Sequence, residues 1–158
     1  MKKITSLFFL FILAYACSSS KKTASQIGIV TLKNYKINDN LNFSDEVNFK
    51  IFTNRENFLS TFHMTKSTPA TVVIPDFNGQ SVVAVILKPT TKVQSVTIDK
   101  AEILNANLNI YYSIVDTTAW STFQHTEAVA ATVPKSLDVK QVNFYNHNLK
   151  EKILPVVY

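Results

Sequence analysis

Apolar and polar side chains alternate along much of this chain, which is the pattern of β-strands that bury one face. Residues 107–115 alternate without interruption, and residues 47–51 and 93–104 keep largely to the same period of two. Residues 81–87 are almost continuously apolar, as expected of a strand that is covered on both faces. Residues 27–32 form a further run rich in β-branched side chains. These segments predict a chain that is mainly β.

One segment follows helical spacing instead. Thr53 and Glu56 have the spacing of a capping box, and Phe58 begins a set of apolar residues at the intervals of a helix face. We therefore predict one helix over residues 54–65, packed against the sheet. His63 falls near the C-terminal end of this helix, where the helix dipole favours a cation.

The last part of the chain predicts two strands with irregularities. Within residues 136–145 the apolar side chains change face once, which is what a β-bulge does. Residues 153–158 predict a final strand, and Pro155 has no backbone N–H to donate to a neighbouring strand. We therefore expect the final strand to lie at a sheet edge or to end early.

The turns use Asn and Asp, because the whole chain contains only two glycines. Asn78-Gly79 predicts a hairpin turn, and Asn105-Ala106 predicts a turn that accepts left-handed backbone. Several antiparallel pairs follow from such turns. The predicted fold is an antiparallel β-sandwich, or one strongly curved sheet, with a single covering helix.

The N-terminus has the pattern of an export signal. Lys2 and Lys3 precede an apolar run over residues 4–14, which is shorter than the about 20 residues that a membrane-spanning helix needs. The small side chain of Ala16 stands directly before Cys17. This order predicts a signal peptide over residues 1–16.

The sequence Leu-Ala-Tyr-Ala-Cys at residues 13–17 resembles the lipobox of bacterial lipoproteins. In that family the cysteine thiol receives a diacylglycerol group and the signal peptidase cuts directly before it, so the resemblance implies that Cys17 is lipidated. Residues 17–26 are then the lipidated Cys and a flexible polar tether. The tether has no acidic export signal, which favours an outer-membrane anchor facing the periplasm. The open alternative is a secreted protein whose Cys17 stands at the cut by chance.

Residues 27–158 are enough for one domain with its own core. The formal net charge is +5, but the basic residues are spread along the chain, which disfavours nucleic acid as a partner. The three histidines (His63, His125 and His147) have no metal-ligand spacing, and two glycines cannot build a phosphate loop or a nucleophile elbow. We therefore expect no catalytic residue, no metal and no cofactor.

Two segments are candidates for contact with a partner protein. Residues 116–132 predict a loop that carries two aromatic residues, and aromatic side chains on loops are common anchors in protein recognition. The alternative is that the two aromatic residues plug one end of the sandwich. A second rim loop precedes the strand at 93–104. The candidate contact residues are Lys88, Pro89, Thr90, Trp120 and Phe123.

The order of short motifs over residues 47–145 resembles the C-terminal domain of PrcB-type protease-complex lipoproteins. The Ile-Pro-Asp-Phe sequence at residues 74–77, the apolar strand at 82–85 and the Lys-Pro-Thr sequence at 88–90 carry this resemblance, with Thr-Val-Pro at 132–134. The family continues the Lys-Pro-Thr loop with Gly-Gly-Tyr, whereas this chain has Thr-Lys-Val. The resemblance implies a non-catalytic lipoprotein that holds or assists a secreted protease assembly.

Two other functions stay open. The Pro-Thr-Thr sequence at residues 89–91 is similar to a rim loop of immunoglobulin-like inhibitors of cysteine peptidases. A lipoprotein that binds a sugar or a peptide in a pocket at the mouth of the sandwich is the other alternative. The main expectation is a lipid-anchored protein-interaction module of the cell envelope.

Overall fold

The structure, a computed structural model, describes residues 23–65, 72–136 and 138–157. The predicted signal peptide, Cys17 and the first part of the predicted tether lie outside the described residues. Within the described ranges the chain forms eleven strands and one helix. In chain order these are β1 (Ser25–Ile27), β2 (Val30–Thr31), β3 (Tyr35–Ile37), β4 (Val47–Phe52), α1 (Arg55–Thr61), β5 (Phe62–Met64), β6 (Gln80–Leu87), β7 (Thr90–Leu104), β8 (Asn107–His125), β9 (Ala128–Pro134), β10 (Gln141–Asn146) and β11 (Leu149–Pro155).

Two sheets make up the sandwich. The larger has five strands in the order β1-β7-β8-β10-β11, and the smaller has four in the order β2-β9-β6-β4. β3 and β5 form a separate two-stranded sheet. Neighbouring strands are antiparallel, except that β8 and β10 run parallel. The predicted mainly β sandwich with one helix is confirmed.

β6 explains why the chain carries a continuous apolar run. It lies between β9 and β4 inside the smaller sheet, and its side chains alternate between two cores. Val83 and Val85 join the core between the two large sheets, whereas Val82 and Ile86 join a second core beneath α1. All four are fully buried, at 0% exposure. The sandwich therefore has a third layer, made of α1 with β3 and β5.

Phe58 holds the helical layer onto the smaller sheet. Its ring is 1% exposed and stacks on Phe62, with 5.2 Å between the ring centroids. The rings of Phe52 and Tyr35 meet it edge-on at 5.5 and 5.1 Å. Such aromatic clusters add about 0.5–1.5 kcal/mol per pair beyond the buried area. Phe58 is thus the centre of the second core.

The predicted start of the helix is wrong by one residue. The N-cap is Asn54, whose side-chain oxygen accepts a hydrogen bond from the backbone N–H of Asn57 at 2.9 Å. Thr53 is therefore outside the cap, and its hydroxyl donates to the carbonyl oxygen of Val157 at 3.2 Å. The Thr53–Glu56 capping box does not form, because Asn54 takes its place.

The predicted end of the helix is also wrong. α1 ends at Thr61, since the backbone of Phe62 is extended with φ of −120° and enters β5. His63 therefore lies on a strand and not at a helix C-terminus. Its Nδ1 atom is 2.8 Å from the side-chain oxygen of Asn38, so a polar contact and not the helix dipole positions the ring.

Three strand predictions need correction. The change of face within residues 136–145 falls in the turn before β10, in which the N–H of Val139 donates to the carbonyl of Ser136. The irregularity within β10 itself comes later, where its pairing with β11 shifts register between Phe144 and Tyr145. Asn78-Gly79 does form a turn, but residues 72–76 before it are not a strand, so no hairpin results. Residues 27–32 are not one strand.

β1 and β2 divide that N-terminal run between the two sheets. β1 begins at Ser25, two residues before the predicted domain boundary, and joins the larger sheet. The chain then crosses through Gly28 and Ile29, and β2 joins the smaller sheet. This crossing closes one side of the sandwich.

Two other predictions at turns and edges are confirmed. Asn105 and Ala106 join β7 to β8 with φ of 52° and 60°, the left-handed backbone that was expected there. β11 is the outermost strand of the larger sheet and ends at Pro155, as the missing N–H requires.

The second core gives a direct stability prediction. Phe58→Ala should lower the free energy of unfolding by about 3–5 kcal/mol, because it empties a site that the rings of Tyr35, Phe52, Phe62 and Phe77 surround. Leu59→Ala is the matched control on the same helix: Leu59 is 44% exposed, and the loss should stay below about 1 kcal/mol. Urea denaturation measures both values. Equal losses in the two variants would show that α1 is not held through Phe58.

Candidate functional site

The candidate contact residues lie on two unusually long strands. β7 has 15 residues and β8 has 19, and they stay paired beyond the sandwich, with Lys92 opposite Trp120 and Thr90 opposite His125. We call residues 90–94 and 115–125 the arm. The loop predicted for residues 116–132 is therefore wrong, because residues 116–125 are strand and residues 128–132 belong to β9.

Bulges turn the aromatic residues of the arm outward. The pairing shifts register between Gln94 and Lys92 and again between Lys92 and Thr90, with the additional residues on β8. Hydroxyl groups stabilise these irregular stretches: Thr117 accepts from the N–H of Ala119, and Ser121 accepts from the N–H of Phe123, both at 3.2 Å. Bulges bend a strand and redirect its side chains.

Trp120 and Phe123 are exposed to solvent on the arm. Trp120 is 71% exposed and Phe123 is 77% exposed. The alternative in which these two rings plug one end of the sandwich is therefore wrong. Large aromatic side chains that remain exposed on an ordered strand are typical of protein-interaction surfaces.

Asp116 ties the two strands of the arm together. Its carboxylate accepts hydrogen bonds from the ammonium of Lys92 and, at 2.7 Å, from the side-chain amide of Gln94. The Lys92 contact first, and the Gln94 contact after it, hold the pKa of Asp116 below its usual value. The hydroxyl of Thr117 adds a bond of 2.7 Å to the carbonyl of Val93.

The Lys88-Pro89-Thr90 segment joins the last pair of the arm, Thr90 and His125, to the end of β6 at Leu87. The backbone N–H of Lys88 donates to the carbonyl of Glu46 at 3.0 Å, and its ammonium is 3.2 Å from the Glu46 carboxylate. Thr90 accepts from the N–H of Lys92 at 3.1 Å, which fixes the first residues of β7. A hollow of about 410 Å³ opens here, with Pro89 in its wall.

The fold thus brings both predicted rim segments to one end of the sandwich, which we call the arm end. The chain's N-terminal segment enters at the opposite end, because Ser25 pairs with Ile103 at the far end of β7. At about 3.3 Å per residue, the stretch from Lys92 to Ile103 spans about 36 Å. The arm end and the entry of the N-terminal segment are therefore well separated.

The metal-ligating side chains of the described residues do not cluster. Across 23–65, 72–136 and 138–157, no group of three or more His, Cys, Asp and Glu side chains could hold a metal ion. In the arm, the Nδ1 atom of His125 lies 3.5 Å from the carbonyl oxygen of Phe123, which is long for a hydrogen bond. The same described ranges contain no helix long and apolar enough to cross a membrane.

Comparison with known proteins found no match: no family model, no curated protein and no solved structure is similar to this chain. The resemblance to PrcB-type lipoproteins therefore stays a prediction. The lipidation of Cys17 is also a prediction, since residues 1–22 lie outside the described ranges.

Sequence reasoning missed the residues that order the arm. Lys92, Gln94 and Asp116 form its polar clamp, and Ser121 supports the backbone next to Phe123. The segment around them is rich in Thr and aromatic residues, which favour strands. This strand propensity of Thr and aromatic residues was the sequence feature that could have predicted the strand. The segment was predicted as a loop because a strand that is exposed on both faces shows no alternation of apolar and polar residues.

The clamp predicts how the arm responds to acid. The pKa of Asp116 is lower in the folded protein than the value of about 3.9 in the unfolded chain. The stabilisation of the arm by the ionised Asp116 is therefore fully present above the unfolded pKa and is lost as the pH falls through the lower, folded pKa. The fluorescence anisotropy of Trp120, the only tryptophan, reports the mobility of the arm. It should stay constant from neutral pH to about pH 4 and fall below that.

Asp116→Asn provides the control for this titration. It removes the charge that Lys92 contacts and keeps the size of the side chain, so the low anisotropy should already be present at neutral pH. Identical anisotropy of Asp116→Asn and the unaltered protein at neutral pH would show that the clamp does not order the arm.

Proposed function

We propose that this protein is a membrane-anchored bacterial lipoprotein that acts as a non-catalytic protein-interaction module. Its lipidated Cys17 is proposed to hold it in the outer membrane, facing the periplasm. The arm end, with Trp120, Phe123 and the Lys88-Pro89-Thr90 segment, is the proposed contact surface. In keeping with the PrcB-type resemblance, the proposed partner is a secreted protease or its complex.

The observation that carries this proposal is the exposure of Trp120 and Phe123 on an ordered arm. Trp120 is 71% and Phe123 is 77% exposed, although hydrogen bonds fix the backbone on both strands around them. A preorganised aromatic surface loses little conformational entropy when it binds. It is therefore better suited to recognition than two aromatic residues on a mobile loop.

The position of the arm relative to the N-terminal segment also supports the proposal. An extended chain from Cys17 to Ser25 spans at most about 30 Å. Ser25 enters the larger sheet at the end of β7 that carries Ile103. With the lipid anchor beside that end, the arm end would lie about 36 Å further along β7, on the side away from the bilayer. A partner in the periplasm could then reach the aromatic residues without meeting the lipid head groups.

The anchor itself is tested through Cys17. Several acyl chains contribute about 0.8 kcal/mol per buried methylene, so the unaltered protein should sediment with membranes and carry a lipid mass on its first residue. Cys17→Ser should move it to the supernatant. An unprocessed N-terminus by mass spectrometry, or a protein that stays membrane-bound after Cys17→Ser, would contradict lipid anchoring at this residue.

The contact surface is tested by cross-linking and capture from native membranes. The double variant Trp120→Ala and Phe123→Ala should retain about tenfold less of the captured partner, which corresponds to a loss of roughly 1.4 kcal/mol. Val157→Ala is the matched control, because Val157 is 77% exposed but lies at the opposite end of the larger sheet, where the N–H of Val156 bonds to Lys140 beside the turn that joins β7 to β8. Equal capture by all three proteins would remove the arm from the proposal.

A peptidase inhibitor is the second candidate function. The convergence of the Lys88-Pro89-Thr90 segment with Trp120 supports it, since inhibitors of this kind insert several adjacent segments into an active-site cleft. Inhibition of a papain-like peptidase by micromolar protein would favour it over the capture of an intact partner. For a small ligand at the mouth of the sandwich, the interior hollow between the two sheets is only about 10 Å³, whereas the hollow of about 410 Å³ beside Pro89 lies at the mouth, between residues of both sheets.

A further inference from the structure

A hollow at the arm end reaches both sheets of the sandwich. It has a volume of about 410 Å³, and its lining includes Leu87, the last residue of β6, and Thr90, the first residue of β7. Val47 of β4 lines it from the smaller sheet, and Ile114 of β8 lines it from the larger sheet. The hollow therefore lies where the two sheets separate, beside the proposed contact surface.

Hydrogen bonds of the backbone hold the walls of this hollow. The N–H of Leu87 donates to the carbonyl of Glu127 at 2.8 Å, and the N–H of Lys92 donates to the hydroxyl of Thr90 at 3.1 Å. Pro89 stands between these two bonds, and its ring fixes one backbone angle. Because the hollow is already formed, the protein loses little conformational entropy when an occupant enters it.

The floor of the hollow is apolar. Leu87 is 3% exposed and belongs to the core between the two large sheets, and the half-buried Val47 and Ile114 pack against that core. Val47 and Ile114 keep part of their apolar surface in contact with water. An apolar group seated on them would remove that surface from water, which is favourable.

The polar side chains that line the hollow already have partners within the protein. The ammonium of Lys88 is 3.2 Å from the carboxylate of Glu46, and the ammonium of Lys92 contacts the carboxylate of Asp116. In each ion pair one positive charge meets one negative charge, so neither pair has a net charge. Gln94 also donates to Asp116, at 2.7 Å. Among the described residues that line the hollow, no unpaired charge therefore selects an acid or a base.

Two exposed rings adjoin the hollow. Trp120 is the strand partner of Lys92, and Phe123 lies between Trp120 and His125, the partner of Thr90. Since Lys92 and Thr90 line the hollow, both rings stand on the strand segment beside it. Trp120 is 71% and Phe123 is 77% exposed. A molecule that fits inside the hollow would leave most of this aromatic surface in water, whereas a protein surface could cover the rings and fill the hollow together.

We propose that the hollow receives an uncharged, apolar segment of the partner protein, whose surrounding surface covers Trp120 and Phe123. This inference rests on the proposed function and adds the chemistry of the partner. A charged group would lose its hydration in the hollow without meeting an unpaired opposite charge. A second copy of this chain fits less well. Two copies joined at their arm ends would carry their N-terminal segments on opposite sides, where one bilayer could not hold both anchors.

The test uses the full-length protein in lipid nanodiscs and three defined probes. These are acetyl-Ser-Leu-Phe-Leu-Ser-amide and its counterparts with Asp or Lys in place of both leucines. At millimolar concentration, the apolar peptide should shift the methyl signals of Val47, Leu87 and Ile114, and the two charged peptides should shift them much less. The methyl signals of Ile103 are the control in the same spectrum, because Ile103 lies at the other end of β7.

A charge placed in the hollow tests its preference for apolar groups. Thr90→Asp adds a carboxylate there and keeps an acceptor for the N–H of Lys92, so it should weaken binding of the apolar peptide roughly fivefold or more. Ser95→Asp is the matched control, because Ser95 is exposed and directly follows Gln94, so its side chain points to the other face of β7. Its affinity for the apolar peptide should stay within about twofold.

Capture from native membranes separates this inference from the proposed function. Thr90→Asp should retain roughly fivefold less of the captured partner than Ser95→Asp. If Thr90→Asp captures as much as the unaltered protein while Trp120→Ala with Phe123→Ala loses the partner, the hollow is not the site and the proposed contact surface stands. If neither variant loses the partner, both proposals are wrong.

The peptide experiment has four outcomes that contradict the inference. Unshifted methyl signals with millimolar apolar peptide would show that the hollow stays empty. Equal shifts with all three peptides would show that it does not select uncharged groups. Shifts that grow with protein concentration before any peptide is added would place a second copy there. A co-purifying small molecule that the apolar peptide does not displace would make the hollow a small-ligand site.

Discussion

The whole structure depends on burying both faces of β6. Its side chains from Ser81 to Leu87 are at most 4% exposed, and they supply one wall to each of the two cores. A strand covered on both faces needs a neighbour on each edge and a layer on each side. The five-stranded sheet provides one layer, and α1 with β3 and β5 provides the other. Burying these apolar surfaces is the largest favourable contribution to folding.

The arm is a consequence of how the chain leaves β6. β6 ends at Leu87 in one sheet, and β7 begins at Thr90 in the other, so only Lys88 and Pro89 make the crossing. β8 runs antiparallel to β7 and extends as far as Thr90, the first residue of β7. From there the chain re-enters the smaller sheet as β9, which pairs with β6. The extra length of β8 is taken up in bulges at this end, and those bulges turn Trp120 and Phe123 away from the core.

Sequence patterns predicted the elements whose signal comes from burial. The run at residues 81–87, the alternation at 107–115 and the edge position of Pro155 all follow from local rules, and the structure agrees. The helix start could not be predicted in this way, because Thr53 and Asn54 are both good caps. The carbonyl of Val157 engages the Thr53 hydroxyl at 3.2 Å, and this partner is 104 residues away in the chain.

The candidate site shows the same limit. Lys88, Pro89, Thr90, Trp120 and Phe123 could be selected from the sequence by residue type, but their convergence depends on the register between β7 and β8. The strand at residues 116–125 has no buried face, so periodicity could not reveal it.

The outer face of the larger sheet differs from the arm in how its side chains are paired. Asn143 donates to Asn109 at 2.8 Å there, and the rings of Tyr111 and Tyr145 stack with centroids 5.0 Å apart. Those side chains satisfy one another across neighbouring strands and leave little for a ligand to replace. Trp120 and Phe123 are 71% and 77% exposed, so their rings keep most of their apolar surface for a partner. Recognition is therefore most favourable where large side chains remain exposed, and least favourable where cross-strand pairs have already formed.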